Sequence, residues 1–345
     1  MPIDPAKAKS RRALPHNGTF YGLCLDPAAG RLYAGSDDNA VHVFDLASDK
    51  KEPVARWAKH ENYVSALAFI RRPSKPAVVS GSYDRRLIWW DADGKPVRSV
   101  EAHQGWVRDL AATPDGSRLV SVGDDMLVKV WDADSGKPIR SLEGHARKTP
   151  QGHVTALYAV TVSPDGKWIA SGDRHGEVRV WELETGKAAQ TFQVPVLYTY
   201  DPIQRKRSIG GIRSLAFSRD GTFLAVGGVG QIGNVDGLGG PATVEVWDWR
   251  KPERRFTGTA QGQKGLVNGL AFHADGWLIG AGGGEGGFLA FWKVEPMPQT
   301  TGKKDAVQGT RHKTDGHVHR FCLSAKGDEL YAAGFRKVEV WSLGG

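Results

Sequence analysis

The sequence of 345 residues predicts an all-β fold, a seven-bladed β-propeller made of four-stranded antiparallel blades. Three observations predict it. A hexapeptide occurs seven times, the spacing between its copies fits one blade, and the strand that the last copy lacks is found at the other end of the chain. Because each repeat adds its own part of the core, we expect a single domain over 1–345.

The repeated hexapeptide alternates apolar residues, as a half-buried strand does. Its copies read VHVFDL, LIWWDA, VKVWDA, VRVWEL, VEVWDW, LAFWKV and VEVWSL, with the anchor aromatics Phe44, Trp90, Trp131, Trp181, Trp247, Trp292 and Trp341. Successive anchors are 46, 41, 50, 66, 45 and 49 residues apart, close to the roughly 40–45 residues of a propeller blade plus insertions. Turn signals such as TPDG at 113–116 lie upstream of the anchors, and a fourth strand such as KPIRSL at 137–142 follows them.

Ring closure has its own signature in the sequence. The last repeat stops at Gly345 without a fourth strand, and SRRALPH at 10–16 resembles IRSLEGH at 139–145. We expect the N-terminal segment to complete the last blade and remove an open sheet edge, so that deleting 1–16 costs far more stability than trimming an ordinary tail. The predicted blades are 17–57, 61–101, 104–143, 154–193, 209–257, 264–300, and 315–345 together with 9–15.

Composition narrows the class of protein. Hydrophobic residues make up 40% of the chain, and no apolar run is long enough to span a bilayer or to follow the charged N-terminus as a signal peptide. We therefore expect a cytoplasmic protein. Cys24 and Cys322 are too few for a disulfide framework, and their apolar surroundings predict two buried free thiols. The net charge of +8 permits binding to acidic proteins, nucleic acid or membrane surfaces.

The Gly-His or Ala-His start, the turn after the first strand and the Trp-Asp ending resemble the WD-repeat (WD40) family over essentially the whole chain. The resemblance implies one hydrogen-bonded tetrad of His, Ser or Thr, Asp and Trp per blade. Two full sets match, His60, Ser80, Asp84 and Trp90 in blade two and His103, Ser121, Asp125 and Trp131 in blade three. We expect these two blades to be the stiffest.

The other blades depart from the pattern. Blade four offers His153, Ser171 and Trp181, with His175 where Asp is expected. Blade one has His16 and Asp38, with Ala34 and Phe44 replacing the hydroxyl and the indole, and blades five to seven have Ser208, Gln263 and Thr314 in place of His. A His-Ser-Asp set also suggests a hydrolase, but a catalytic triad occurs once whereas this set recurs in register, so we predict no catalytic residues.

The resemblance also implies which residues line the mouth of the central channel, three and five positions after each His. The third positions are Thr19, Tyr63, Trp106, Ala156, Gly211, Leu266 and His317, and the fifth are Tyr21, Ser65, Arg108, Tyr158, Arg213, Asn268 and His319. Residues before the turn Asp add Asp37, Tyr83, Asp124 and Arg174. Aromatic and Arg side chains dominate protein-binding hot spots, which favours Trp106, Tyr63, Arg108, Tyr158 and Arg213. The alternative for Trp106 is that it covers the core of its own blade.

Long insertions are expected at the same end of the ring, at 146–152, 194–208, 227–242, 282–287 and 299–314. They carry the basic residues Arg147, Lys148, Arg205, Lys206, Arg207, Lys303, Lys304, Arg311 and Lys313, with Tyr198 and Tyr200 among them. Such a rim would suit an acidic partner, although Lys- and Arg-rich loops are often merely solvated. The glycine-rich stretch at 227–240 precedes a strand and lacks the context of a phosphate-binding loop.

No metal site and no cofactor are predicted. His317 and His319, with His312 and His16 as possible neighbours, lack the cysteine or carboxylate that would complete a tetrahedral zinc site. The function we predict is a non-enzymatic scaffold that binds a protein or peptide at the channel mouth, as one subunit of a larger complex. Nucleic-acid binding through the basic rim is the alternative, and a propeller enzyme would require acids and bases converging on the channel mouth.

Overall fold

The computed structural model describes residues 2–71, 77–233, 235–237, 239–284, 286–297 and 306–344. Short antiparallel strands dominate it, and the hexapeptide copies form the third strand of each blade. Blade one begins with the long strand β1, whose second half pairs with β2 from Phe20 to Asp26. The strands of this blade are β1 Lys9–Asp26, β2 Arg31–Ser36, β3 Ala40–Asp45 and β4 Ala55–Ala58.

Blades two, three and four are separate four-stranded antiparallel sheets. Each begins with a largely buried strand and ends with a more exposed one, as the patterns of β5 and β8 in blade two show. The strands are β5 Val64–Ile70, β6 Ala77–Ser82, β7 Arg86–Trp90, β8 Pro96–Glu101, β9 Val107–Ala112, β10 Arg118–Gly123, β11 Val128–Asp132, β12 Pro138–Leu142, β13 Leu157–Val162, β14 Trp168–Asp173, β15 Glu177–Glu182 and β16 Ala188–Gln193.

The insertion at 194–208 folds into structure of its own, a 3₁₀ turn at Pro195–Leu197 and the hairpin β17 Tyr198–Asp201 with β18 Arg207–Gly210. Blades five and six then share the long strand β22. The remaining strands are β19 Ser214–Phe217, β20 Phe223–Val229, β21 Pro241–Asp248, β22 Glu253–Phe272, β23 Trp277–Gly284, β24 Gly286–Lys293 and β25 Val307–Thr314.

The structure differs from the prediction at two of the expected insertions, 282–287 and 299–314. The ladder between β23 and β24 continues to the pair Gly284 and Gly286, so 282–287 is a tight hairpin because the two strands pair up to their ends. Arg311 and Lys313 lie in β25, the fourth strand of blade six, and pair with Ala290 and Phe288 of β24. They therefore do not belong to an insertion. Lys303 and Lys304 lie outside the described residues.

The N-terminal segment closes the ring. Blade seven consists of β26 Val318–Leu323 and β27 Glu329–Ser342, with Arg336 in the left-handed conformation at φ 62° within β27. The first half of β27 pairs with β26, and its second half pairs with β1 from Lys9 to Pro15. A 3₁₀ turn at Pro5–Lys7 precedes that strand. The first half of β1 is thus the fourth strand of blade seven, as the sequence predicts.

The inner strands form a closed circle. β1 contacts β5, and the contacts continue through β9, β13, β19, β22 and β26 back to β1. Apolar side chains fill the space between consecutive blades; for example, Trp89 of blade two packs in one cluster with Leu119 and Trp131 of blade three. No helix among the described residues is long and apolar enough to cross a membrane.

Candidate functional site

Two of the tetrads are those that the sequence pattern indicates. In blade two, His60 Nε2 lies 2.7 Å from Ser80 Oγ, His60 Nδ1 lies 2.7 Å from Asp84, and the Trp90 indole donates to Ser80 Oγ at 2.8 Å. In blade three the corresponding contacts, at 2.7–2.9 Å, join His103, Ser121, Asp125 and Trp131. Ser80 and Ser121 are fully buried, so neither hydroxyl can reach a substrate.

In these two tetrads the folded structure favours the ionised form of the Asp side chain. Burial alone would raise the pKa of Asp84, but the hydrogen bond with His60 and the backbone N–H groups of Glu61 and Arg86 outweigh it and lower the pKa below its usual value. Asp125 has a lowered pKa through the same balance, with His103 as its partner. The ionised carboxylate is therefore part of the folded blade.

Blade four holds a third tetrad, and the predicted membership of His153 and His175 is wrong. His145 Nε2 lies 2.8 Å from Ser171 Oγ, His145 Nδ1 lies 3.1 Å from Asp173, and the Trp181 indole donates to Ser171 at 2.9 Å. His145 stands before the insertion 146–152, which separates it from the strand it supports. The sequence feature that marks His145 is the Gly-His pair at 144–145.

In blades five and seven a buried glutamate takes the place of the missing hydroxyl. The Trp247 indole donates to Glu245 at 3.1 Å, and the Trp341 indole donates to Glu339 at 2.8 Å. Both acids lie two residues before the tryptophan in the sequence VEVW, where three of the other copies have Lys, Arg or His and two have Ile or Ala. Burial raises the pKa of Glu245 even though Arg254 donates to it at 3.0 Å. This signal was present in the sequence and was missed.

Blade one has a different arrangement from the predicted one. His16 Nε2 lies 2.6 Å from Ser36 Oγ, two residues beyond Ala34, so a hydroxyl is supplied from the end of β2. Asp38 instead contacts His42 at 3.1 Å and receives a hydrogen bond from Arg56 at 3.0 Å. The rings of His16 and Phe20 stack at 4.4 Å, so this blade relies on aromatic packing as well.

The fifth positions of all seven repeats meet at one end of the channel, which we call the upper mouth. They line a single cavity of about 120 Å³. Its lining consists of Tyr21, Ser65, Tyr83, Arg108, Tyr158, Arg213, Asn268, His319 and Arg320. Below it, Arg320 of blade seven and the buried Asp109 of blade three form an ion pair that crosses the channel.

Aromatic rings continue around much of the upper mouth, and we call them the aromatic arc. Neighbouring rings lie between 4.2 and 5.8 Å apart from centroid to centroid. In order around the ring they are His317, His319, Tyr21, Tyr63, Tyr83 and Trp106. Trp106 is 43% exposed and Tyr63 is 40% exposed, so neither lies in the core of its blade.

Two arginines extend the arc through Tyr158, and they differ in their partners. The guanidinium of Arg108 lies 4.8 Å from the Trp106 ring and 5.4 Å from the Tyr158 ring, and it donates to both oxygens of Asp124 at 2.6 and 3.0 Å. The guanidinium of Arg213 also lies against the Tyr158 ring, at 3.8 Å from its centroid, but it forms no ion pair within the described part of the chain.

The basic rim is less open than the sequence indicates. Arg205 and Arg207 lie on the β17–β18 insertion and both contact Asp236, at 2.5 and 3.3 Å. Lys206 between them is exposed and left-handed at φ 49°. Tyr198 donates its hydroxyl proton to Gln151 at 3.0 Å. Asp236 therefore offsets part of the positive charge of this rim. The positive charge of the upper mouth comes instead from the arginines that line it, such as Arg108 and Arg213.

The opposite mouth holds a larger cavity of about 630 Å³, lined mainly by apolar residues and including both cysteines. Cys24 is buried and Cys322 is only partly buried, so the expectation of burial holds for the first alone; both are free thiols. Burial raises the pKa of Cys322 to about 12, and the pKa of Cys24 is raised as well. Thiols of this kind are poor nucleophiles.

The histidines considered for zinc do not all come together. His317 and His319 stack at 4.6 Å, but His312 Nε2 lies 2.6 Å from the Pro5 carbonyl, and His16 belongs to the blade-one group described above. Asn268 Nδ2 lies 2.7 Å from His317 Nε2, so this ring nitrogen already has a hydrogen-bond partner. Burial lowers the pKa of His319 to about 3, so the pair is neutral and aromatic at physiological pH.

Comparison with known proteins supports the same fold. The family model "WD domain, G-beta repeat" matches residues 51–91, 94–132, 136–182 and 204–232. Nuclear distribution protein PAC1 of Arthroderma otae is 35% identical over 120 residues, 32% of this chain and 26% of that protein. Nuclear distribution protein nudF of Emericella nidulans is 29% identical over 133 residues, 33% of this chain and 30% of that protein.

The alignments to these curated relatives span less than a third of each relative's length. The matched repeats lie in blades one to five, and blades six and seven, which the family model leaves unmatched, continue the same inner circle of strands. The chain therefore contains WD40 repeats at four positions, within a β-propeller whose remaining blades continue them.

Proposed function

We propose that the chain is a scaffold that binds a partner protein or peptide at the upper mouth of the propeller. The observation that carries the proposal is the aromatic arc with its two arginines, because large aromatic and Arg side chains that present area to solvent dominate protein-binding hot spots. Trp106 and Tyr63 are among the most exposed large apolar side chains of the described residues, and both belong to the arc.

The relatives are consistent with a role in assembly. The two proteins, nuclear distribution protein PAC1 and nuclear distribution protein nudF, are WD-repeat proteins, and their alignments to this chain fall in its propeller repeats. The role we propose for this chain, as one subunit of a larger complex in the cytoplasm, requires no catalysis. The fully buried tetrad serines are in keeping with that role.

Replacing Trp106 and Arg108 together by Ala tests the proposal. We expect the full chain with both changes to lose the proteins that co-purify with the wild type from its native lysate, while its Tm changes little. The matched control is Val97→Ala with Ile139→Ala, which truncates exposed apolar residues on the outermost strands of blades two and three. Equal loss in both variants, or a large fall in Tm in the first, would count against the arc.

Nucleic-acid binding is not favoured, because Asp236 pairs with Arg205 and Arg207 and offsets one of their two charges on the rim. Binding through phosphates falls steeply with ionic strength. Titrating fluorescein-labelled single-stranded DNA at 50 and 200 mM salt therefore separates the two functions. We expect negligible binding at 200 mM salt; tight binding that R205A/R207A abolishes would support the alternative.

A further inference from the structure

Arg213 is a guanidinium without a counter-charge among the described residues. It lies directly before β19 at the upper mouth, where Nη2 donates to the Gly210 carbonyl at 3.3 Å and the Tyr158 ring lies 3.8 Å below. Its Nε is buried and has no hydrogen-bond partner. No carboxylate of the described residues comes within ion-pair distance of it. A buried donor of this kind costs stability until an acceptor reaches it.

Arg108 provides the contrast within the same cavity. Each nitrogen of its guanidinium donates a hydrogen bond, two of them to the oxygens of Asp124 and one to the Tyr83 hydroxyl at 3.1 Å. Burial lowers the pKa of Arg213, and the nearby positive charges of Arg108 and Arg174 act in the same direction. Arg174 donates to the Ser208 carbonyl at 3.2 Å and, like Arg213, has no carboxylate partner in the described part of the chain. The blade-five side of the mouth is thus positively charged and unneutralised.

We propose that Arg213 receives a carboxylate side chain, Asp or Glu, from an acidic segment of the partner that the scaffold binds. The inference rests on the proposed function and specifies the chemistry of its ligand. A carboxylate fits the planar fork of donors on a guanidinium and forms charge-assisted hydrogen bonds with it. It would supply a negative charge to a cation that has no carboxylate partner among the described residues, and an acceptor to a guanidinium whose Nε has none there.

The size of the cavity favours a carboxylate over a phosphate. The cavity of about 120 Å³ corresponds to on the order of four water molecules, which is room for the end of one side chain. A carboxylate places two oxygens in this space, whereas a phosphate ester places three oxygens around a tetrahedral phosphorus. The surrounding Tyr158 and Tyr21 would exclude water from the ion pair and strengthen it.

The test uses random 12-residue peptides displayed on phage and selected on the immobilised full chain. We expect the wild type to enrich peptides with Asp or Glu at one fixed position. The best peptide is then synthesised with Glu, Gln or phosphoserine at that position. We expect the Glu form to bind at least tenfold more tightly than the Gln form and more tightly than the phosphoserine form, and Arg213→Gln to abolish the preference for Glu over Gln.

Two variants serve as controls. Arg250→Gln removes an equal charge from an exposed arginine that stacks on Trp249 at 4.3 Å, and it should leave binding unchanged. Arg213→Lys keeps the charge and shows whether the position tolerates change if Arg213→Gln fails to fold; it should retain the Glu preference with reduced affinity.

The outcomes distinguish the two proposals. Enrichment of peptides without a fixed acidic position, equal binding of the Glu and Gln forms, tighter binding of the phosphoserine form, or an undiminished Glu preference in R213Q overturns the carboxylate site and leaves the scaffold standing. If no peptide is enriched, or if enriched peptides bind W106A/R108A as well as the wild type, the proposed function itself fails.

Discussion

Among single residues, His145 shows how a buried polar group organises a blade. Both of its ring nitrogens are engaged, with Ser171 and with Asp173, and its side chain has no exposed area. Removing the ring would leave a buried hydroxyl and a buried carboxylate short of partners, each of which costs about 1–3 kcal/mol. The network therefore stabilises blade four only as long as all of its members are present.

We expect His145→Ala to lower the free energy of unfolding by about 2–5 kcal/mol, combining the lost partners with the cavity left behind. His153→Ala, the matched change eight residues further on, should cost less than about 1 kcal/mol because its ring is only partly buried and packs against Tyr200 at 5.7 Å. Urea denaturation of the two variants measures both values. A larger loss of unfolding free energy for H153A than for H145A would show that His153, and not His145, is the histidine of the blade-four tetrad.

The sequence could predict the first two tetrads because His, Ser, Asp and Trp stand at fixed offsets where no insertion intervenes. In blade four, the insertion 146–152 lies between His145 and its strand, and counting back from the turn reaches His153 instead. Glu245 and Glu339 were detectable in the VEVW copies, since an acid at a buried strand position needs a donor and the Trp two residues later can supply one.

His319 should make the protein sensitive to acid. Its folded pKa of about 3 lies below the ordinary value of 6.5, because burial disfavours the charged ring and His317 and Arg320 act in the same direction. Protonation therefore favours the unfolded chain, and the stability present above pH 6.5 is lost progressively as the pH falls towards 3. We expect the Tm of His319→Gln to fall less than that of the wild type between pH 7 and pH 4.5.

The control for this pH dependence is His175→Gln, at a rim histidine whose ring lies edge-on to Tyr198 at 4.8 Å. Its Tm should follow the wild-type curve over the same range. Parallel curves for all three proteins would show that His319 is not the group whose protonation destabilises the fold.

Among the strands, β1 closes the ring because one continuous strand serves both the last blade and the first. Lys9 to Pro15 pair with the second half of β27, and Phe20 to Asp26 pair with β2. Leu14 within it is fully buried in a cluster with Phe20, Leu32 and Val338. The recurrence of SRRALPH made this closure predictable, whereas the β17–β18 hairpin was not, since its strands match no copy of the repeat.

Deleting residues 1–15 should lower the Tm by more than 10 °C and promote oligomers, because β27 would then present an unpaired edge. Leu14→Ala alone should cost about 2–5 kcal/mol. Arg11→Ala, an exposed change on the same strand, should cost under about 0.5 kcal/mol. Thermal denaturation and size-exclusion chromatography measure these effects. A deletion variant that stays monomeric with a wild-type Tm would contradict the closure.

In the molecule as a whole, the ring brings together residues that no local pattern relates. The fifth positions of the repeats could be assigned to one mouth because the offset is constant. The sequence could not predict that Arg108 has a carboxylate partner and Arg213 has none among the described residues, because this depends on which loop places a carboxylate nearby. The pair of Asp109 and Arg320 was equally hidden, since 211 positions separate its members.

That ion pair should couple opposite sides of the ring. Asp109 also accepts from the backbone N–H groups of Leu110 and Val160, at 2.9 and 3.0 Å, and burial raises its pKa despite Arg320. Removing one partner of a buried pair leaves an uncompensated charge, which costs about 3–5 kcal/mol, whereas replacing both by apolar residues of similar volume is often nearly neutral. We therefore expect Arg320→Met to destabilise the fold and Asp109→Leu with Arg320→Met to recover part of the loss. A double-mutant cycle by urea denaturation measures the coupling between blades three and seven; additive effects would show that the two blades are held by packing alone.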